Sequence, residues 1–290
     1  MSMDSNLVRR VGFAVVAIPL ALALIWYGGL PLALVLAVVG ALGARELLDL
    51  AGRGNIRAVT PLALLSAAAL PLLVYGVIAT PQVRDSLTLW WPYLAAIWLI
   101  VLLTWVLASH QPSERPLAAA AITLLAVAYT GALPAFLLAI RHTSFAVKSW
   151  AGAWLVFFPL VVTWVCDTAA MFGGRALGGP KLAPTVSPGK TRSGSTAGVL
   201  GGVLMAPLFG LLIFPRVGLD IPVGQLLAIS AVLSVVGQVG DLAESLFKRE
   251  AGVKDSSHLI PGHGGVLDRF DSLYFVIPTA AAMYRAFGVI

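Results

Sequence analysis

The chain has 290 residues, of which 59% are hydrophobic and 11% charged, whereas a soluble domain carries about 25% charged residues. Its mean hydropathy is +0.93, and its apolar residues gather in runs of about 20, the length that crosses a ~30 Å hydrocarbon core. Composition therefore excludes a soluble enzyme and a disordered chain, and the net charge of +6 is read against membrane topology before nucleic acid is invoked.

Apolar runs bounded by charge, Pro or Gly fall at 9–28, 30–51, 59–79, 88–108, 117–140, 151–173, 196–215, 223–247 and 270–289. They predict an all-α, polytopic integral membrane protein with about nine transmembrane helices. The first run follows Arg9-Arg10 but lacks a small-x-small cleavage site, so it is read as a retained span. Arg45, Glu46 and Asp49 near the end of the second run suit a snorkelling or paired helix terminus with a structural role. With the N-terminus inside, 14 of the 19 Lys and Arg lie in inner segments and 5 in outer ones, which favours an N-in/C-out topology. The polar loops 174–195 and 248–269 then face the cytoplasm, beside the lipid bilayer, and no nucleic-acid partner is needed to explain their charge. Residues 163–192 and 237–271 hold 15 of the 32 charged side chains, so the chain divides into a scaffold of transmembrane helices, 1–150, and a catalytic transmembrane region, 151–290. Cys166 is the only cysteine and cannot form an internal disulfide.

In the sixth run Asp167 carries the insertion cost of a membrane carboxylate, and it orients a loop cation, contacts a nucleotide or pairs structurally. The loop after it contains Gly189-Lys190-Thr191, but a P-loop would need Gly where Pro184 stands. What the loop offers is Arg175, Lys181, Lys190 and Arg192 with the hydroxyls of Ser187 and Thr191 in a mobile Gly/Pro frame, the inventory for gripping a polyphosphate. An ordinary inner-face loop would also be basic.

Helical spacing in the eighth run puts Asp241, Glu244, Ser245 and Lys248 on one stripe. A carboxylate facing lipid costs about 2.5–3.5 kcal/mol, so Asp241 should meet a wet cavity, a cation or a basic partner. Downstream, Gly264-Gly265 permits close backbone approach to a ligand, and His263 suits a phosphate contact. Asp268 and Asp271, at i and i+3, share a face at a helix start. With Asp241 they suit a hard divalent cation; alternatively they cap the helix. His258 and His263 match no zinc spacing.

The stretch from Ser245 to Asp271 resembles the signature of phosphatidate cytidylyltransferases, the CDP-diacylglycerol synthases. Lys248-Arg249, Lys254-Asp255, Pro261, His263-Gly264-Gly265, Asp268-Arg269 and Asp271 all stand in the family's places, and Trp164–Asp167 and Ser187–Thr191 resemble its upstream segments. The resemblance implies transfer of CMP from CTP to phosphatidic acid with release of pyrophosphate, in phospholipid biosynthesis at the inner face of a cytoplasmic membrane. It implies Mg²⁺, as one or two cations held by Asp241, Asp268 and Asp271. Lys190, Lys248, Arg249, Lys254 and Arg269 would divide the phosphates, with Asp167, Ser187, Thr191, Arg192, Ser245, His263, Gly264 and Gly265 contacting substrate. Family members are also described as homodimers. A CTP-dependent kinase of polyprenol or phytol type is the nearest rival, and the complete signature argues against it. A cation transporter lined by Asp167, Asp241 and Glu244 would leave the basic loops unexplained.

Overall fold

A computed structural model describes the backbone of residues 5–260 and 264–290, and the side chains of Val15 and of residues from 17 onward within that range. His263 lies outside the described residues. The apolar runs fold as α1 (Ser5–Tyr27), α2 (Gly29–Arg53), α3 (Thr60–Ala79), α4 (Pro81–Ser109), α5 (Pro116–His142), α6 (Trp150–Leu177), α7 (Arg192–Val217), α8 (Val223–Glu250), the single turn α9 (Leu267–Phe270) and α10 (Leu273–Ala286). Among the described residues seven helices, α2 to α8, are long and apolar enough to cross a membrane, so this is an all-α, multi-pass membrane protein.

The last of the nine expected spans is shorter. Helix α10 has 14 residues and rises about 21 Å, less than the ~30 Å of a hydrocarbon core. Its run is shortened at one end by the Asp268–Ser272 turn and at the other by Gly288, which adopts a left-handed conformation at φ 71°. In α1 the apolar stretch within the described residues is Ala17–Tyr27.

The chain forms two compact units and passes between them more than once. The first comprises residues up to Ala21, Gly29–Ala139 and Glu250–Arg269; the second comprises Leu22–Gly28, Ile140–Arg249 and Phe270–Ile290.

Within the first unit α2, α3 and α5 pack closely because small residues face one another. The Thr130 hydroxyl donates to the Gly40 carbonyl at 2.9 Å, and the Val59 N–H donates to Thr123 Oγ1 at 3.0 Å. Helix α4 buries only Leu102 and Val106, which pack with Val59, and leaves Trp90, Trp91 and Tyr93 exposed. An outward apolar face of this kind suits lipid, where close packing of small residues rather than the hydrophobic effect holds helices together.

Within the second unit α6 and α7 cross at short range. A Cβ at Gly198 would lie 2.9 Å from the Cys166 carbonyl oxygen, so only glycine admits this approach. Phe158, Phe209 and Phe214 form an edge-to-face cluster with ring centroids 5.0–5.7 Å apart, and Tyr284 ties α10 to it by donating to the Leu155 carbonyl at 3.0 Å. Arg141 is fully buried and donates to the carbonyls of Ile25 (2.8 Å), Trp26 (2.6 Å) and Ala146 (2.9 Å), satisfying acceptors that the end of α1 leaves open.

The basic loop is more ordered than its Gly/Pro content suggests. Helix α6 runs on to Leu177 and stops at Gly178, which takes φ 60° and donates to the Gly174 carbonyl at 3.1 Å. An antiparallel hairpin follows, β1 (Lys181–Ala183) and β2 (Ser187–Thr191), with Lys181 opposite Thr191 and Ala183 opposite Ser187. Pro184 stands in the turn, where its fixed φ is favourable. The Arg192 N–H then bonds the Pro180 carbonyl at 2.9 Å, closing the hairpin onto the start of α7.

Candidate active site

The second unit contains a cavity of about 710 Å³. Helix α6 contributes Asp167 and Arg175, the hairpin Lys181, Lys190 and Thr191, and α8 contributes Gln238 and Asp241. On α6 the residues facing it, Asp167, Ala170, Met171 and Gly174, follow helical i, i+3, i+4, i+7 spacing. The hairpin brings the basic groups to the carboxylates: Lys190 Nζ lies 2.6 Å from Asp241 Oδ2, with both side chains little more than a quarter exposed. Ser245 donates to Asp241 Oδ1 at 3.3 Å. Asp167 stands close enough to Asp241, Asp271 and Lys190 to interact with their charges. Carboxylates and cations thus stand side by side here, Asp167 and Asp241 against Arg175, Lys181 and Lys190, a mixed set that suits a metal ion and a polyphosphate together.

Thr191 is buried, and its hydroxyl caps α7, accepting from the Gly194 N–H at 3.1 Å and sharing a 3.1 Å hydrogen bond with Ser193. Gln238, which the sequence reading did not single out, is the polar crosslink behind the cavity. Its Oε1 accepts from the Ser195 hydroxyl at 2.5 Å, and its Nε2 donates to the Ser195 carbonyl at 3.2 Å and to Cys166 Sγ at 3.5 Å, joining α7, α8 and α6. The available signal was its place three residues before Asp241, on the same helical stripe.

Other expected contacts of this unit lie elsewhere. Lys248 is buried and pairs with Glu244 at 3.1 Å, while Arg249 donates to the Val186 carbonyl in the hairpin turn at 3.2 Å. Ser187 and Arg192 occupy the hairpin and the first turn of α7 but are not among the residues lining the cavity. Asp271 accepts from the Ser272 N–H at 2.6 Å.

The first unit holds the rest of the signature, and there Glu46 is the organising group. Arg45 and Asp49 form the expected exposed i,i+4 pair at 3.3 Å, but Glu46 turns inward and is only 3% exposed. Its Oε1 accepts from the Ser257 hydroxyl (2.7 Å) and the Val266 N–H (2.9 Å), and its Oε2 from the Ser256 hydroxyl (2.9 Å) and the Leu267 N–H (2.8 Å). Asp268 completes the network. Its Oδ2 accepts from the Ser256 N–H (2.9 Å) and the Gly265 N–H (2.8 Å), and it shares the one Ser256 hydroxyl proton with Glu46 Oε2, each oxygen lying 2.9 Å from Ser256 Oγ.

The Gly264-Gly265 amides were expected to approach a ligand. The Gly265 N–H instead donates inward to Asp268, and a Cβ there would collide with Ser256 Oγ and Glu46 Oε2. Lys254 and Arg269 are exposed. Among the described residues no three His, Cys, Asp or Glu side chains are close enough together to hold a metal ion. Of the expected set, Asp268 belongs to the first unit and Asp241 and Asp271 to the second. The donor chemistry of the second unit still fits magnesium, which commonly takes one or two carboxylates and completes its shell with phosphate oxygens and water.

Residues 8–287 match the model of the cytidylyltransferase family. A phosphatidate cytidylyltransferase of Staphylococcus epidermidis is 36% identical over 265 residues, 91% of this chain and 94% of that protein. The enzyme of that name from Staphylococcus aureus is 34% identical over the same shares of the two chains. One from Brucella suis is 49% identical over 139 residues, 48% of each chain.

Proposed function

The chain belongs to the cytidylyltransferase family, and from that membership we propose that it transfers CMP from CTP to phosphatidic acid, giving CDP-diacylglycerol and pyrophosphate. The observation that carries the reading is the Lys190–Asp241 pair on the wall of a cavity shared by a basic hairpin and acidic membrane helices. A nucleotide needs the cations, a divalent ion the carboxylates, and a lipid phosphate a site within reach of the bilayer.

A phosphate oxygen of phosphatidate attacks the α-phosphorus of CTP. The bond from that phosphorus to the bridging oxygen breaks, and the electron pair leaves on pyrophosphate. The nucleophile is already anionic, so catalysis is chiefly positioning and neutralisation of charge. Lys190 exchanges Asp241 for a phosphate oxygen when CTP enters, and Arg175 and Lys181 meet the remaining charge of the triphosphate. Asp241 and Asp271, supported by Asp167, would hold magnesium, which when bound supplies Lewis-acid stabilisation of the triphosphate and the departing pyrophosphate. Asp268 and Glu46 hold the Ser256–Leu267 loop in shape. The excess of Lys and Arg beside the cavity supports a cytoplasmic face for the site, on an inner membrane.

The test is pyrophosphate release by purified protein with phosphatidic acid, CTP and Mg²⁺, each omitted in turn, while labelled cytidine is followed into lipid. Labelled lipid with equimolar pyrophosphate is expected. CDP release with a newly phosphorylated lipid would make the protein a kinase instead.

A further inference from the structure

The hairpin that carries Lys190 is a two-stranded ribbon, an element that is marginal when it stands alone. Its strands pair at Lys181–Thr191 and Ala183–Ser187, Pro188 has no N–H to give, and nothing lies within 4 Å of a Cβ placed at Gly189. The base is anchored, since the Arg192 N–H bonds the Pro180 carbonyl at 2.9 Å and the Ser193 hydroxyl donates to the Gly178 carbonyl. Beyond the base, two side-chain contacts tie the ribbon to α8. Lys190 pairs with Asp241 at 2.6 Å, and the Arg249 Nε–H donates to the Val186 carbonyl in the turn at 3.2 Å. The two spans match: Asp241 and Arg249 are eight residues apart, about 12 Å of helix, and Val186 and Lys190 four apart, about 13 Å of strand. Strand β2 therefore runs back along the last two turns of α8 and is pinned near each end.

We propose that Arg249 is a positioning residue, whose Nε–H holds the hairpin turn to α8 so that Lys190 stays in place to meet CTP; the assignment rests on the cytidylyl transfer proposed above. Of the two pins, the Lys190–Asp241 pair is the one that substrate opens, because Lys190 passes to a phosphate oxygen. The acceptor of Arg249 is a backbone carbonyl, which neither a triphosphate nor a metal ion takes away from it. This pin persists while Lys190 changes partner, and it keeps β2 from swinging about its anchored base. Neighbouring signature residues thus have separate tasks: Lys248 is buried against Glu244 at 3.1 Å, and Arg249 is exposed and reaches the hairpin. What Arg249 supplies is a donor at Nε rather than a charge. That differs from the phosphate contact its place in the signature implies, and the two roles separate cleanly, because glutamine carries an amide Nε2 after the same three side-chain carbons and keeps a donor there without the charge.

Arg249→Met and Arg249→Gln test the assignment in the full-length protein, and the side chain is exposed, so neither change opens a hole in the interior. Arg249→Met removes both donor and charge and should raise the KM for CTP about 3- to 10-fold, what one hydrogen bond contributes, with a smaller effect on kcat. Arg249→Gln should restore the KM of the parent. Equal impairment of the two variants would overturn the proposal and give Arg249 to a phosphate, where the charge is what counts; parental KM in both would overturn it as well. Because Arg249 acts through Lys190, Arg249→Met combined with Lys190→Ala should raise the KM no further than Lys190→Ala alone, and full multiplication of the two effects would mean that they act independently. A second measurement needs no turnover. Amide hydrogen exchange at Val186, Ser187, Gly189 and Lys190 should quicken in Arg249→Met and not in Arg249→Gln, and equal exchange in parent and both variants would defeat the proposal. Absence of cytidylyl transfer by the parent protein is a separate result, which counts against the reaction and leaves the exchange comparison to decide whether Arg249 holds the hairpin.

Discussion

Lys190 on β2 and Asp241 on α8 meet at 2.6 Å in the wall of the cavity, each the nearest recorded counter-charge of the other. The pair joins a loop cation to a membrane carboxylate, and both groups are the kind a metal–nucleotide complex recruits. In the proposed reaction the pair opens when substrate binds, the cation passing to phosphate and leaving a carboxylate that would hold a divalent cation. Lys190→Ala should therefore raise the KM for CTP by about 10- to 100-fold, the range of one charge-assisted hydrogen bond, with a smaller effect on kcat. Steady-state kinetics with varied CTP decide it, since an unchanged KM would reduce Lys190 to a partner of Asp241.

Asp241→Asn should remove nearly all turnover while the protein keeps its melting temperature within a few degrees. The side chain is partly solvated, and its hydrogen bond from Ser245 survives the change to an amide oxygen. Retention of full activity would take Asp241 out of the metal-binding set.

Asp268→Asn should behave differently. Its buried Oδ2 receives two N–H hydrogen bonds and shares the Ser256 hydroxyl with Glu46, and an amide can place an NH₂ against those donors. Loss of activity is expected together with faster amide hydrogen exchange at Ser256 and Gly265. Full loss of activity with unchanged exchange would show that Asp268 acts on substrate rather than on the loop.

Glu46→Ala leaves the buried N–H groups of Val266 and Leu267 without their acceptor, at a cost of about 1–3 kcal/mol each. Exchange protection of these two amides should fall sharply, and activity with it, although Glu46 lies on α2, more than 200 residues earlier in the chain. Protection equal to the parent's would refute the clamp.

Gly198→Ala and Gly189→Ala form a matched pair. A Cβ at 198 meets the Cys166 carbonyl oxygen and Sγ at 2.9 and 3.1 Å, whereas at 189 nothing lies within 4 Å. The first should lower the thermal stability of the detergent-solubilised protein and the second leave it unchanged. Equal stability of the two would mean that α6 and α7 have room to spare.

The chemistry of the signature was legible because it is carried by residue types at short spacings. Asp241 and Lys190 were recognisable as a costly membrane carboxylate and a loop cation, and the structure pairs them. Glu46 was not legible as a loop clamp, since a charge near a helix end reads as a snorkelling terminus and nothing local announces a partner beyond residue 250. Gln238 was passed over because an uncharged amide in an apolar run leaves only a weak trace. The hairpin was hidden by Gly and Pro residues that suit a mobile loop as well as a tight turn.

By itself the sequence determined that this chain lives in a membrane, where most of its spans lie and which reaction its signature resembles. Hydrophobic length and short-range spacing are local properties, written in consecutive residues. Only the tertiary structure decided which carboxylate meets which cation and that Asp268 faces its own loop. Those outcomes depend on hydrogen bonds and close packing between segments far apart in the chain, and spacing along the chain does not encode distance across it.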